Sequence, residues 1–217
     1  MAARLTKADR RLAAADPVMA GLIERLGRRS LETRGRRRGE GPADAYGALL
    51  RTVVGQQLST RAARTIYGRV LDLFGGTDPS PEQLLEADEE ALRGAGLSGR
   101  KVEYLRDLAR HVLDGDLELE RFEELEDEEV IEEIVAVRGL GRWSAEMFLI
   151  FHLRRPDVFS GGDLGLRRAI QIEYGMEEPP TPDEAVALSE RWRPDRSLAA
   201  IYLWESLAEP ADPFDDR

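Results

Sequence analysis

Asp163 has the surroundings in this chain that most suggest chemistry. It follows two glycines and heads an apolar segment in Asp157-Val158-Phe159-Ser160-Gly161-Gly162-Asp163-Leu164-Gly165-Leu166-Arg167-Arg168. A carboxylate fixed there could stabilise a developing positive charge, or orient and deprotonate a water. The same residue could also be a plain helix N-cap. Upstream lies Val137-Arg138-Gly139-Leu140-Gly141-Arg142-Trp143-Ser144-Ala145, with an amphipathic segment before it and an apolar one after it. Two helices joined so closely need a tight turn. Gly139 and Gly141 can take φ values closed to other residues, and they remove side chains that would hold another backbone away. The N–H groups of the turn and of the next helical turn would then project with the positive end of the helix dipole, which suits a phosphate oxygen. Gly139, Leu140, Gly141, Arg142 and Ser144 are the candidate phosphate-binding residues, with Leu140 turned inward to pin the hairpin. An ordinary helical hairpin would use the same residues for geometry alone.

The elements that must position these residues read as all helical, because apolar residues recur at three- and four-residue spacing rather than alternating. The pattern predicts helices over Pro17–Leu26, Ala43–Gln56, Thr60–Phe74, Pro81–Ala87, Gly99–Leu113, Asp127–Ala136, Trp143–His152, Leu164–Tyr174, Pro182–Arg191 and Ser197–Leu207. Arg28 to Gly41, rich in Arg and Gly, is expected to be an exposed, mobile connector, and Gly175 to Pro182 a second break.

The chain has 217 residues, 42% of them hydrophobic, enough for one well-buried core or two small lobes. It has no cysteine and two histidines, His111 and His152, so thiol nucleophiles, disulfides and Cys-ligated metal clusters are excluded and a metal site is not expected. No apolar run is long enough to span a bilayer and no signal core follows the charged N-terminus, so the expected address is the cytoplasm. The net charge of −11 argues at first against a nucleic-acid partner. The signs are segregated, however: residues 1–70 carry +9 and the remainder −20, with 12 acidic residues between Asp114 and Glu133. That acidic run reads as a solvated face, which leaves room for a basic binding face elsewhere.

A helix-hairpin-helix, a Gly-containing loop and then Asp resembles the signature of the helix-hairpin-helix (HhH-GPD) DNA glycosylase superfamily. Within it the chain is similar to the AlkA type, the 3-methyladenine DNA glycosylases, from about Ala43 to Ala208. Five separated motifs agree in order: Val54-Gly55-Gln56-Gln57-Leu58-Ser59; Ala95-Gly96-Leu97-Ser98 with Lys101; the hairpin; Asp163; and Arg191-Trp192-Arg193-Pro194 leading to Trp204. The chain looks like the short form, without the N-terminal β domain of longer members.

The resemblance implies a two-lobed all-α fold. One lobe would be 43–160, with the hairpin at about 127–153, and the other 1–42 plus 161–217, with the active site in the cleft between them. It implies that Asp163 stabilises an oxocarbenium-like sugar as the glycosidic bond breaks. It also implies that Gln57, helped by Leu58, fills the gap left by a flipped nucleotide while Ser59 probes the minor groove. Read without the resemblance, Gln56-Gln57 merely caps a helix. Trp143, Trp204, Tyr202, Met147 and Leu164 are the expected base-pocket residues, since electron-rich rings attract cationic alkylpurines. Tryptophans in a helical protein also serve simply as core. At Met147 and Leu164 the chain departs from the tyrosines expected there. Bifunctional relatives carry a lysine where this chain has Trp143, so base removal without strand cleavage is expected.

The implied partner is double-stranded DNA with damaged bases, bound by a monomer without a cofactor. Arg167 and Arg168 are expected to assist Arg142 on the backbone. An HhH glycosylase for oxidised or mismatched bases and a non-catalytic DNA-binding module are the competing readings.

Overall fold

Side-chain caps decide where most of these helices begin. In the computed structural model, which describes residues 5–30 and 44–207, the side chains of Thr6, Asp16, Asp44, Ser59, Ser80, Asp88, Ser98, Asp163 and Thr181 each accept a hydrogen bond from a backbone N–H of the helix that follows. The helices are α1 Lys7–Ala15, α2 Pro17–Leu26, α3 Ala45–Gly55, α4 Thr60–Leu73, α5 Pro81–Glu86, α6 Glu89–Gly94, α7 Gly99–Asp114, α8 Asp127–Ala136, α9 Arg142–Phe151, α10 Leu164–Glu173, α11 Pro182–Ser189 and α12 Arg196–Ser206. Short 3₁₀ turns occupy Leu119–Arg121 and Glu190–Trp192. No strand occurs among the described residues.

All ten expected helices are present. Two more, α1 and α6, were not expected. Helix α6 is a six-residue turn, too short to show a period, and α1 is announced only by the capping box between Thr6 and Asp9. The Arg/Gly-rich connector lies, from residue 31 onward, outside the described residues.

The chain divides into two compact units, Met1–Arg36 with Leu149–Arg217, and Arg37–Phe148. The first unit packs α1, α2, α10, α11 and α12 around Leu12, Met19, Leu22, Ile170, Trp192 and Leu203. Three aspartates are buried in it, and each is engaged, as a buried carboxylate must be; Asp195 takes both of its bonds, at 2.7 and 2.6 Å, from the Arg11 guanidinium. Asp9 accepts from the Thr6 N–H, the Thr6 hydroxyl and the Tyr202 hydroxyl, all at 2.7 Å. Asp16 accepts from the Trp192 indole at 3.0 Å, the Val18 N–H at 2.9 Å and the Tyr174 hydroxyl. The loop before α10 is tied to the start of α12: the Ser197 hydroxyl accepts from the Val158 N–H at 2.9 Å and contacts the Arg155 carbonyl at 2.6 Å, and the Arg196 guanidinium reaches Asp157 at 2.9 Å.

In the second unit α7 is central, packing on α3, α5 and α6. Leu49, Val53, Leu84, Leu105, Leu108 and Ile134 are buried there, and Phe122 meets Phe148 edge to face with centroids 5.7 Å apart. The acidic run belongs to this unit. Its apolar residues Leu117, Phe122 and Val130 are buried, while most of its carboxylates are exposed, the pattern of a solvated face.

Ser197 is the buried link that fixes the loop leading to Asp163. Ser197→Ala strands the Val158 N–H and is expected to cost about 1–3 kcal/mol in urea unfolding at unchanged slope. A change below about 0.5 kcal/mol would show that the hydroxyl is no anchor.

Candidate active site

Asp163 is the N-cap of α10, in extended backbone at φ −70° and ψ 120°. Its Oδ1 accepts from the Leu166 N–H at 2.7 Å and from the Trp204 indole Nε1 at 2.9 Å. The carboxylate therefore meets the positive end of a helix and a second donor from α12, which together fix its direction. Capping and catalysis do not compete for the residue, because the cap bond itself holds the group in place. Gly165 makes the approach possible: a Cβ there would lie 3.0 Å from Asp163 Oδ1 and 3.4 Å from the indole. The Trp204 ring packs on Phe151, centroids 5.6 Å apart and tilted 34°. Of the two preceding glycines, Gly161 is a packing requirement, since a Cβ would run into Val186 and the Pro182 carbonyl at 2.5 and 2.7 Å, whereas Gly162 faces open space.

The hairpin joins α8 to α9. Gly139 sits at φ +88°, and a Cβ there would collide with the Tyr104 ring. Gly141 has no protein atom near its Cβ direction, so its missing side chain leaves room for something outside the protein. Leu140 is buried beneath the turn and Ser144 is buried in the first turn of α9. The Arg138 N–H donates to Asp107 Oδ2 at 2.9 Å. Arg142, expected as a phosphate contact, has partners within the protein. Its guanidinium donates to both oxygens of Glu128, at 2.6 and 3.0 Å, and to Glu146 at 3.1 Å, so it is a strut between α8 and α9 whose charge is already matched. The same hydrogen bonds hold the Glu128 carboxyl below its ordinary range.

The loop after α3 has a comparable build. Gln57 is exposed and adopts φ 58°, a left-handed conformation that costs a non-glycine residue on the order of 1 kcal/mol. Leu58 beside it is exposed. Ser59 is exposed and is the N-cap of α4, accepting from the Ala62 N–H at 3.3 Å. Behind them Lys101 Nζ donates to the carbonyls of Val54 at 2.7 Å and Gln56 at 2.8 Å, and Gln56 Nε2 donates to the Gly139 carbonyl at 2.8 Å. Burial pushes the Lys101 ammonium below its ordinary range.

The expected pocket residues divide. Trp143 is 46% exposed and Met147 half-buried on α9; Leu164 is 75% exposed directly after Asp163. Tyr202 must be withdrawn from the pocket. It is fully buried, its hydroxyl donating to Asp9 and accepting from the Arg29 N–H at 3.1 Å, and burial beside Asp9 pushes it up to about 12. Arg167 is also committed, to the Pro180 carbonyl at 2.5 Å, while Arg168 bonds Gln171 at 3.0 Å on the surface. Phe151, Gly165 and Gln56 are the site residues that sequence reasoning missed. Among the described residues, no group of acidic or histidine side chains is arranged to hold a metal.

The two hairpin glycines are expected to separate fold from function. Gly139→Ala should destabilise the protein by on the order of 2 kcal/mol or more in urea unfolding, since it meets both the left-handed φ and Tyr104. Gly141→Ala should unfold as the parent does yet bind duplex DNA roughly tenfold more weakly, the worth of a charged hydrogen bond. Unchanged binding by Gly141→Ala would contradict backbone contact at the turn.

Residues 50–194 match the HhH-GPD superfamily of base excision DNA repair proteins. The chain is 34% identical to a DNA-3-methyladenine glycosylase of Schizosaccharomyces pombe over 217 aligned positions, covering 96% of this chain and 91% of that protein. It is 33% identical to a putative DNA-3-methyladenine glycosylase of Bacillus subtilis over 168 positions, 75% of this chain but 58% of that longer relative. A solved structure of the Schizosaccharomyces pombe 3-methyladenine DNA glycosylase in complex with abasic DNA superimposes with a TM-score of 0.84 at 33% identity, covering 95% of this chain and all of the other. By its matched residues, its helices and its hairpin, the chain belongs to the HhH-GPD superfamily of base excision DNA repair proteins, in the DNA-3-methyladenine glycosylase group.

Proposed function

We propose that the protein is a monofunctional DNA glycosylase that hydrolyses the N-glycosidic bond of alkylated purines of the 3-methyladenine and 7-methylguanine kind, after extruding the damaged nucleotide from double-stranded DNA. The observation that carries this reading is the carboxylate of Asp163, held by a helix N-terminus and the Trp204 indole in a chain of this family.

As the bond from C1′ to the base breaks, positive charge grows on the sugar. An oriented carboxylate lowers the barrier to that step because its attraction is stronger for the transition state than for the neutral ground state. It also suits the attacking water, which must be aligned and must lose a proton. The base needs little activation: a purine alkylated at N3 or N7 is cationic, and exposed aromatic faces such as that of Trp143 favour it by about 0.5–2 kcal/mol. No lysine occurs in α9, whose sequence is Arg-Trp-Ser-Ala-Glu-Met-Phe-Leu-Ile-Phe, so no Schiff base with the sugar is expected from that helix.

Backbone binding falls to the amides around Gly139, Leu140 and Gly141, and Gln57 with Leu58 fills the stack. All these groups come from one chain, in keeping with action as a monomer. Met147 and the exposed Leu164 stand where the resemblance leads one to expect tyrosines, and they favour a less aromatic pocket with its own lesion range.

Single-turnover base release from duplexes carrying 3-methyladenine, 7-methylguanine, 1,N6-ethenoadenine, hypoxanthine or 8-oxoguanine tests the reading. Alkylpurines are expected to be released without strand cleavage, and Asp163→Asn to slow release by about 10²–10³-fold or more while abasic duplex is still bound. Release of 8-oxoguanine alone would favour the oxidised-base reading. Binding with no release from any duplex would favour the non-catalytic module.

A further inference from the structure

Helix α7 touches both DNA-reading elements of its unit with one face. Lys101, Tyr104 and Asp107 stand three residues apart, so their side chains project from neighbouring positions on the helix surface. Lys101 holds the carbonyl of Val54, one residue from the end of α3, and that of Gln56, one residue before Gln57. Tyr104 lies under Gly139, so closely that no Cβ would fit. Asp107 receives the Arg138 N–H. Gln56 closes the circuit by donating from the loop to the Gly139 carbonyl at 2.8 Å. An ammonium group with two carbonyl acceptors at 2.7 and 2.8 Å is committed to the protein, although a lysine near a DNA-binding loop would ordinarily be read as a phosphate contact.

We infer that Lys101 and Gln56 are positioning residues that splint the Gln57 loop to the hairpin through α7, so that gripping the strand and inserting Gln57 into the duplex are one coupled event. The inference rests on the proposed role of Gln57 as the residue that fills the stack. The reason for such a splint is energetic. Extruding a nucleotide costs a few kcal/mol, and a plug offsets that cost only if its loop is already ordered when the duplex arrives. Gln57 is held in a left-handed conformation, and the carbonyls on either side of Gly55 are fixed by Lys101, which is how a loop keeps such a conformation without glycine.

The test uses the full chain and a duplex with a tetrahydrofuran abasic analogue next to 2-aminopurine, whose fluorescence rises when a side chain enters the stack. At saturating protein, Lys101→Met is expected to lower the rise to the level of Gln57→Ala, the double variant to be no worse than either, and Lys101→Arg to restore most of it, since a guanidinium can donate to both carbonyls. Gln56→Ala, on the loop surface, should weaken abasic-duplex binding roughly tenfold and be non-additive with Gln57→Ala. It carries the test alone if Lys101→Met does not fold. The dependence of binding on salt should be the same for Lys101→Met as for the parent, whereas a phosphate contact would lower the slope by about 0.9.

Additive effects of the Lys101 or Gln56 variants with Gln57→Ala, a full fluorescence rise in Lys101→Met, or a reduced salt slope would overturn the splint. If Gln57→Ala itself leaves the rise intact, the plug reading falls and the splint with it. That outcome is distinct from failure of the glycosylase reading, which base release measures separately.

Discussion

The hydrogen bonds that converge on Asp163 Oδ1 are the constraint on which the rest of the first unit depends. One comes from the start of α10 and the other from an indole on α12. For both to be made, those helices must pack closely with no side chain between them at Gly165, and the loop before Asp163 must arrive at a fixed point. Ser197 and Arg196 fix that point from the start of α12, Arg196 through Asp157 of the loop. Beneath it the buried pairs Asp9–Tyr202 and Asp16–Trp192 tie α1 and α2 to the C-terminal part of the chain. The polar groups of this unit's core are fully engaged, and loss of either partner would leave a buried acceptor or donor without compensation.

The second unit solves a different problem. A protein with a net charge of −11 must approach a polyanion, so it cannot depend on bulk attraction. On the proposed reading the hairpin would answer this with backbone N–H groups and a helix dipole, which carry no net charge, while Arg142 joins the hairpin's helices through Glu128. The acidic run in this unit is solvent-facing, anchored by Phe122 and Leu117. Local geometry would then do what surface charge does in many nucleic-acid-binding proteins.

Much of this was legible in the sequence because it is local. The helical periods, the two glycines of the hairpin and the glycines before Asp163 are all written within a few residues of the feature they specify. Even so, the two reasons for glycine that apply alike to Gly139 and Gly141 in the sequence separate in the fold: Gly139 has the positive φ and packs on Tyr104, while Gly141 has no protein atom near its Cβ direction. The missed features join distant residues. Trp204 reaches Asp163 across 41 positions, Tyr202 reaches Asp9 across 193, and Lys101 reaches Val54 across 47. An aromatic such as Tyr202 carries no sign in its neighbours of whether its hydroxyl faces a ligand or a buried carboxylate. The intramolecular partners of Arg142 and Ser59, on Glu128 and at the start of α4, were equally invisible in the residue types alone.

The proposed role of the carboxylate at position 163 is electrostatic, to face a sugar that has become positive. The most direct measurement compares the affinity of the parent and of Asp163→Asn for duplexes carrying either a cationic pyrrolidine or a neutral tetrahydrofuran in place of the damaged nucleotide. The parent should prefer the cation by about tenfold or more, and the Asn variant should lose that preference while keeping its affinity for the neutral analogue. An Asn variant that prefers the cation as strongly as the parent does would contradict the account.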